Sequence, residues 1–277
     1  MNTHWFRRSW TVALLVAGSL AAAPRTAREM ERHSVAFPEW TVPPEFRRDV
    51  FTFARIEYSS PFGGGYYYGS PRWAIDAPDS DLNLSYRLQQ MTSLRVDPEG
   101  RIFKLTDSEL WDHPFIYIVE PGGLQFSEDE VKALRTFLLN GGFLMVDDFW
   151  GEREWENFYA EIKRVFPDRE PEELSMDHPI FHCVFDLGQD KQALQVPNVY
   201  TGIRSQRTGV TWERDGRDLS IRGIYDDRGR LMVVICHNTD NGDGWEREGE
   251  NEYYFRTFSE KRAYPLGINV VFYAMTH

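Results

Sequence analysis

The chain has 277 residues, 42% hydrophobic and 15% aromatic, which is enough material to bury one sizeable core. Its formal charge of −12, without any basic stripe, repels phosphate backbones and anionic lipid surfaces and so argues against nucleic acid as a partner. Two cysteines, Cys183 and Cys236, are too few for a disulfide framework and match no zinc spacing. They read as buried thiols or as one bridge in an oxidising compartment.

In chain order, Arg7 and Arg8 precede an apolar run over residues 10–20 and then three alanines before Pro24. Charged, apolar and small residues in that order predict a secretory signal peptide over residues 1–23, exported by either the general or the twin-arginine route with cleavage near Ala23, the alternative being an uncleaved membrane anchor. The apolar run is short for a membrane span. Losing two arginines and no acid takes the formal charge from −12 to −14, so the mature protein is acidic and is expected in the periplasm or outside the cell. Residues 24–45, with Pro38, Pro43 and Pro44, read as a linker or a strap, and residues 46–277 as a single α/β domain.

Alternation over 51–58 predicts a first strand, and the glycines and tyrosines of 61–69 an adhesive loop. Leu84, Leu88 and Met91 have helical spacing, with Asp79, Ser80 and Asp81 as candidate caps. A short strand is expected at 102–105, and a buried one at 115–119 ending at Glu120. Ser127 and Glu130 form a capping box ahead of a helix that buries Val131, Leu134 and Leu138, and residues 140–142 end it. The apolar run 143–146 then predicts a strand buried on both faces, with Asp147 and Asp148 at its carboxyl end.

Trp155, Phe158, Tyr159, Ile162, Val165 and Phe166 give an amphipathic helix stopped by Pro167. Residues 180–185 read as a strand, the following stretch to 217 as less regular, and 219–225 and 230–236 as strands about a turn at 226–229. Pro265 suits the first turn of a last helix bearing Ile268, Val271, Phe272 and Met275. Strands alternating with helices predict a three-layer α/β fold, a mostly parallel sheet with helices on both faces.

Ligands bind beyond the carboxyl ends of strands in such sheets, where Glu120, the Asp147–Asp148 pair, and His237 with Asn238 and Asp240 would converge. The catalytic candidates are Asp147, Asp148, His178 and His237, because clustered carboxylates and imidazoles bind cations or move protons. The ligand-binding candidates are Tyr67, Trp73, Glu120, Asp148, Asn238, Asp240 and Trp245, the aromatics as stacking surfaces. The competing role is capping and loop anchoring for the polar residues and core or interface packing for the aromatics. No metal ligand set and no cofactor is predicted, although the acids leave room for a divalent cation. The chain has no phosphate loop with its lysine, no GxGxxG, no GxSxG and no HExxH, which removes most of the case for nucleotide, dinucleotide, serine-hydrolase and zinc-protease chemistry.

The stretches FTFARIEY, WAIDAP from Trp73, DLNLSYRL from Asp81, HPFIYIVEPG, LNGGFLMVDD, DHPIF, HNTD from His237 with Trp245 after it, and GINVVFY from Gly267 together resemble the domain of unknown function 4159 family. That resemblance implies a fold like the class I glutamine amidotransferases, which is flavodoxin-like, and like their trehalose-utilisation-protein relatives. It brings no activity. It also implies a gene neighbourhood of MoxR-type ATPases and von Willebrand factor A proteins, and hence envelope partners. Amidotransferases of this fold carry a catalytic cysteine at the turn after the strand that here ends in Asp147 and Asp148, so thiol chemistry is not expected. The leading expectation is therefore a non-catalytic module of the envelope that binds proteins or a small saccharide-like ligand, with no nucleic acid and no stable membrane insertion after signal cleavage. The alternative is a hydrolase or carbohydrate-active enzyme using the acids and histidines at the sheet edge, with or without a divalent cation.

Overall fold

Seven strands form one mixed sheet in the computed structural model, which describes residues 23–31, 39–47, 49–60 and 71–277. The elements run β1 (Ala54–Ile56), α1 (Asp79–Met91), β2 (Arg101–Phe103), β3 (Phe115–Val119), α2 (Glu128–Leu139), β4 (Phe143–Asp147), α3 (Gly151–Val165), β5 (Glu172–Glu173), α4 (Val199–Thr208), β6 (Ser220–Tyr225), β7 (Leu231–His237), α5 (Asn241–Glu246) and α6 (Glu252–Tyr254). A π-helical stretch, Phe255–Ala263, then leads without a break into α7 (Tyr264–Thr276). The strand order is β2-β1-β3-β4-β7-β6-β5. β2, β1, β3, β4 and β7 pair in parallel, whereas β6 runs antiparallel to both β7 and β5.

Period-two alternation sorts the strand side chains into two layers. Phe115, Tyr117, Phe143 and Met145 pack with Leu84 and Leu88 of α1 and with Ile268 and Val271 of α7. Ile116, Ile118, Leu144 and Val146 pack with Leu134 and Leu138 of α2 and with Phe158 and Ile162 of α3. Both faces are therefore dry, which is why these strands read as continuous apolar runs. Ser127 caps α2 as expected, its hydroxyl accepting from Glu130 N at 3.3 Å while Glu130 Oε2 accepts from Ser127 N at 2.8 Å.

Three expectations are corrected. Residues 180–185 do not form a strand: Pro179 opens a 3-10 turn, Pro179–Phe181, closed by the Ile180 N–H donating to His178 Nδ1. Helix α4 lies in the stretch read as less regular, capped by Asn198 and closed by Gly209 with φ +70°. Its buried positions include Thr201, Gly202 and Ser205, small residues that leave little apolar period to detect. A Cβ on Gly202 would stand 2.4 Å from the Tyr254 ring, so that helix packs by close approach instead of by bulk. Finally, Asp79, Ser80 and Asp81 occupy the first turn of α1, and Pro78 is its N-cap.

Among residues 24–45, Ala27 is buried and its N–H donates to Glu99 O, Arg25 pairs with Asp107 and Glu109, and Trp40 Nε1 donates to Val96 O. Cys183 and Cys236 are both free thiols. Among the described residues no helix is long and apolar enough to cross a membrane.

Candidate functional site

Four loops leave the carboxyl ends of the parallel strands and meet over a cavity of about 390 Å³. The loop after β1 brings Asp76, in the left-handed region at φ +64°. Arg55, fully buried on β1, fixes that loop: its Nη1 donates to the carbonyls of Trp73 (2.9 Å) and Ile75 (3.0 Å), and its Nε to Asp81 (3.0 Å). The loop after β3 begins with Glu120, at φ +48°, whose carboxylate takes a 2.9 Å contact from Arg72. Burial pushes the Glu120 carboxyl up to about 7 even though Arg72 pulls the other way.

The loop after β4 carries the acid pair, and its two members have different tasks. Asp147 is fully buried and accepts from Asn241 Nδ2 (2.8 Å), Gly242 N (3.1 Å) and the Tyr117 hydroxyl (3.2 Å). Those donors oppose burial, which raises the Asp147 carboxyl to about 6. Asp147 thus ties the start of α5 to the sheet and does not line the cavity. Asp148, at φ +54°, does line it and accepts from Trp150 Nε1 at 3.2 Å. Burial, followed by the charges of Glu120 and Asp76, holds the Asp148 carboxyl well above its usual range.

After β7, Asp240 caps α5 by accepting from Asp243 N at 2.7 Å, and the helix turns Asp243 and Glu246 toward the same space. Asp243 accepts from Val199 N at the start of α4 (2.5 Å). Arg247 Nε lies 2.6 Å from Glu246 Oε2, a charge contact without hydrogen-bond geometry. Burial, then Asp76 and Asp243, lifts the Glu246 carboxyl to about 10. Burial also raises Asp76 and Asp240, with like-charged neighbours adding to it.

Two groups of acids lie close enough to hold a cation. In Asp76, Asp148 and Asp240, and again in Asp76, Asp243 and Glu246, one carboxylate oxygen per residue falls within 4.8 Å of the others. Asp76 is only 8% exposed, and its Oδ2 is buried without any hydrogen-bond donor. Gly242 makes room for it, since a Cβ there would stand 2.1 Å from that oxygen. Oxygen ligands alone, with neither imidazole nor thiolate, suit hard cations such as Mg²⁺, Ca²⁺ or Mn²⁺.

Of the residues singled out from sequence, Glu120, Asp148 and Asp240 line this cavity. His178 does not: it packs on Tyr225 and Tyr273 at the opposite edge of the sheet, where its Nδ1 closes the Pro179 turn. His237 is buried between Phe149 and Trp155, with Nε2 3.1 Å from Gly151 O, and burial lowers it to about 4, a neutral core imidazole outside the cavity. Asn238 braces loops, its Oδ1 accepting from Gly151 N and its Nδ2 donating to Asp218 O. Trp245 is fully buried against Tyr117, and Trp73 packs beside the α2 and α3 layer, so neither offers a stacking face to the cavity. Tyr67 lies outside the described residues.

Sequence reasoning missed Asp243 and Glu246 as site residues, along with Arg72, Glu154, Glu213, Arg214 and Arg247 on the wall. One signal was present: Asp240, Asp243 and Glu246 recur every third residue, which places them on one face of a short helix. Asp76 was visible only within the WAIDAP stretch, because no local pattern carries the fold-back that aims it inward.

A family model described as Domain of unknown function (DUF4159) matches residues 52–275, and the chain belongs to that family. No curated protein matches it.

Proposed function

Starting from membership of a family whose description names no chemistry, we propose that this protein is a divalent-cation-dependent hydrolase, carbohydrate-active in the broad sense, working in the cell envelope. The observation that carries this reading is the buried, donor-free Oδ2 of Asp76, a residue that groups with Asp148 and Asp240 and again with Asp243 and Glu246. Buried carboxylates at such spacing stay charged only beside a cation, and otherwise they hold protons. A bound cation would supply Lewis acidity and lower the pKa of a water on it. Glu120, with its carboxyl near 7, is suited to take up and release a proton at neutral pH, and Arg72 keeps it oriented.

The finer fold assignment belongs to the same reading. The strand order 2-1-3-4 on one side of the sheet, and a strained residue at the sharp turn after β4, support a class I glutamine amidotransferase-like, flavodoxin-like scaffold in which Asp148 stands where the thiol would be. Export through a signal peptide over residues 1–23 would bring the mature chain to the periplasm or beyond, among envelope proteins and saccharides.

The test is a thermal-shift titration of the mature chain and of Asp148→Ala with Mg²⁺, Ca²⁺ and Mn²⁺, followed by a chromogenic glycoside and ester screen with and without EDTA. Cation stabilisation of the wild type alone, and EDTA-sensitive turnover, are expected. Equal shifts in both proteins, or none, would reject the reading. A non-catalytic saccharide-binding role draws on one observation, Tyr200 on the cavity rim at 66% exposure, and predicts saccharide stabilisation that survives EDTA.

A further inference from the structure

We infer that the cavity holds two divalent cations side by side, bridged by Asp76. The inference rests on the cation reading above and specifies it. The acids fall into two groups, Asp148 with Asp240 and Asp243 with Glu246, which have Asp76 as their one common member. The five acids do not form one group at the 4.8 Å spacing, so two centres sharing Asp76 account for both groups. A carboxylate has two oxygens and can serve two ions, and paired sites of this kind stabilise both the attacking and the leaving oxygen of a displacement.

Charge points the same way. The cavity wall bears eight carboxylates against three arginines, an excess of five negative charges at full ionisation. One divalent ion leaves three of these uncompensated in a buried space, and two ions leave one. The arginines are already engaged: Arg72 and Arg214 with Glu154, and Arg247 with Asp243 and Glu246. Arg55, buried against the Asp76 loop, spends its donors on Asp81, Ser80 and two carbonyls. Asp76, 8% exposed and lining the cavity, is therefore left with an oxygen that no protein group satisfies. That oxygen points to a ligand independently of how many acids surround it.

The experiment measures Mn²⁺ bound per chain by calorimetry and by metal analysis after desalting, with electron paramagnetic resonance reporting whether the ions couple. Asparagine variants preserve the local hydrogen bonds, because an amide oxygen in place of the Asp148 carboxylate still accepts from Trp150, and one in place of the Asp243 carboxylate still accepts from Val199. Cooperative thermal unfolding confirms that each variant folds. About two Mn²⁺ per wild-type chain, with a coupled signal, are expected. Asp148→Asn and Asp243→Asn should each retain about one, uncoupled, and Asp76→Asn should weaken both by about 100-fold. One Mn²⁺ on the wild type, still bound in Asp243→Asn, would overturn the paired site and leave the cation reading standing. No Mn²⁺ on a folded wild type would overturn both.

Discussion

Two aspartates five residues apart, Asp76 and Asp81, are both buried within the same turn of chain, and the protein treats them oppositely. Asp81 takes hydrogen bonds from Arg55 Nε and Nη2 and from the Ser80 hydroxyl, a closed network in which the charge is answered within the fold. Asp76 is walled by other acids and keeps an oxygen without a donor. The first arrangement is what a structural ion pair requires, since desolvation is offset by direct contacts. The second carries a desolvation cost that no protein contact offsets, and that difference sets Asp76 apart from Asp81 although both are buried.

Breaking the closed network should produce the largest effect. Arg55→Met strands Asp81 and releases the carbonyls of Trp73 and Ile75, and a loss of about 3–5 kcal/mol is expected in chemical denaturation. A loss below about 1 kcal/mol would mean that the two aspartates are not energetically distinct.

On the open side, pH is the lever. Glu120 has a folded pKa of about 7, above its ordinary 4.5, so the stability it contributes is present in acid and lost as pH rises from about 4.5 through 7. Its share is about 3 kcal/mol, should vanish in Glu120→Gln, and should shrink when a cation is added. His237 acts with the opposite sign, since its lowered pKa of about 4 removes stability as pH falls from 6.5. Unfolding curves of the wild type, Glu120→Gln and His237→Gln between pH 4 and 8 separate the two contributions.

A smaller effect distinguishes the acids themselves. Without cation at pH 8, Asp76→Asn should gain about 1–2 kcal/mol by removing the cost of burying a carboxyl among other acids, and should lose most of the cation-induced rise in Tm. Destabilisation in the absence of cation would move Asp76 into the structural class with Asp81. Smallest of all, Tyr200→Ala should leave stability within about 0.5 kcal/mol of wild type, and weakened saccharide binding in that variant would support the rim reading.

Period and punctuation made the sheet readable. The runs that became β3 and β4 are apolar at every position because helices cover both faces, and Ser127, Glu130 and residues 140–142 mark helix ends by local chemistry. Helix α4 escaped detection because it packs through small residues, and the 180–185 run misled because two apolar residues after a proline fit a turn as well as a strand. At the site, strand-end position identified Asp148, Glu120 and Asp240 as neighbours, but it could not tell that His237 turns into the core. That choice depends on Phe149 and Trp155, side chains that only the tertiary fold brings alongside it.

Asp76, Glu120, Asp148 and Arg214 have in common a positive φ that non-glycine residues seldom adopt, and all four line the cavity. Each such residue costs about 1–3 kcal/mol, held in place by the surrounding structure. The surrounding fold, and not the residues' own preferences, therefore sets the conformation of the rim. If a cation binds there as proposed, selectivity would rest on how well its radius suits that rim, so Mg²⁺ and Ca²⁺, which differ in size and in tolerance of irregular coordination, should be discriminated by fit more than by charge.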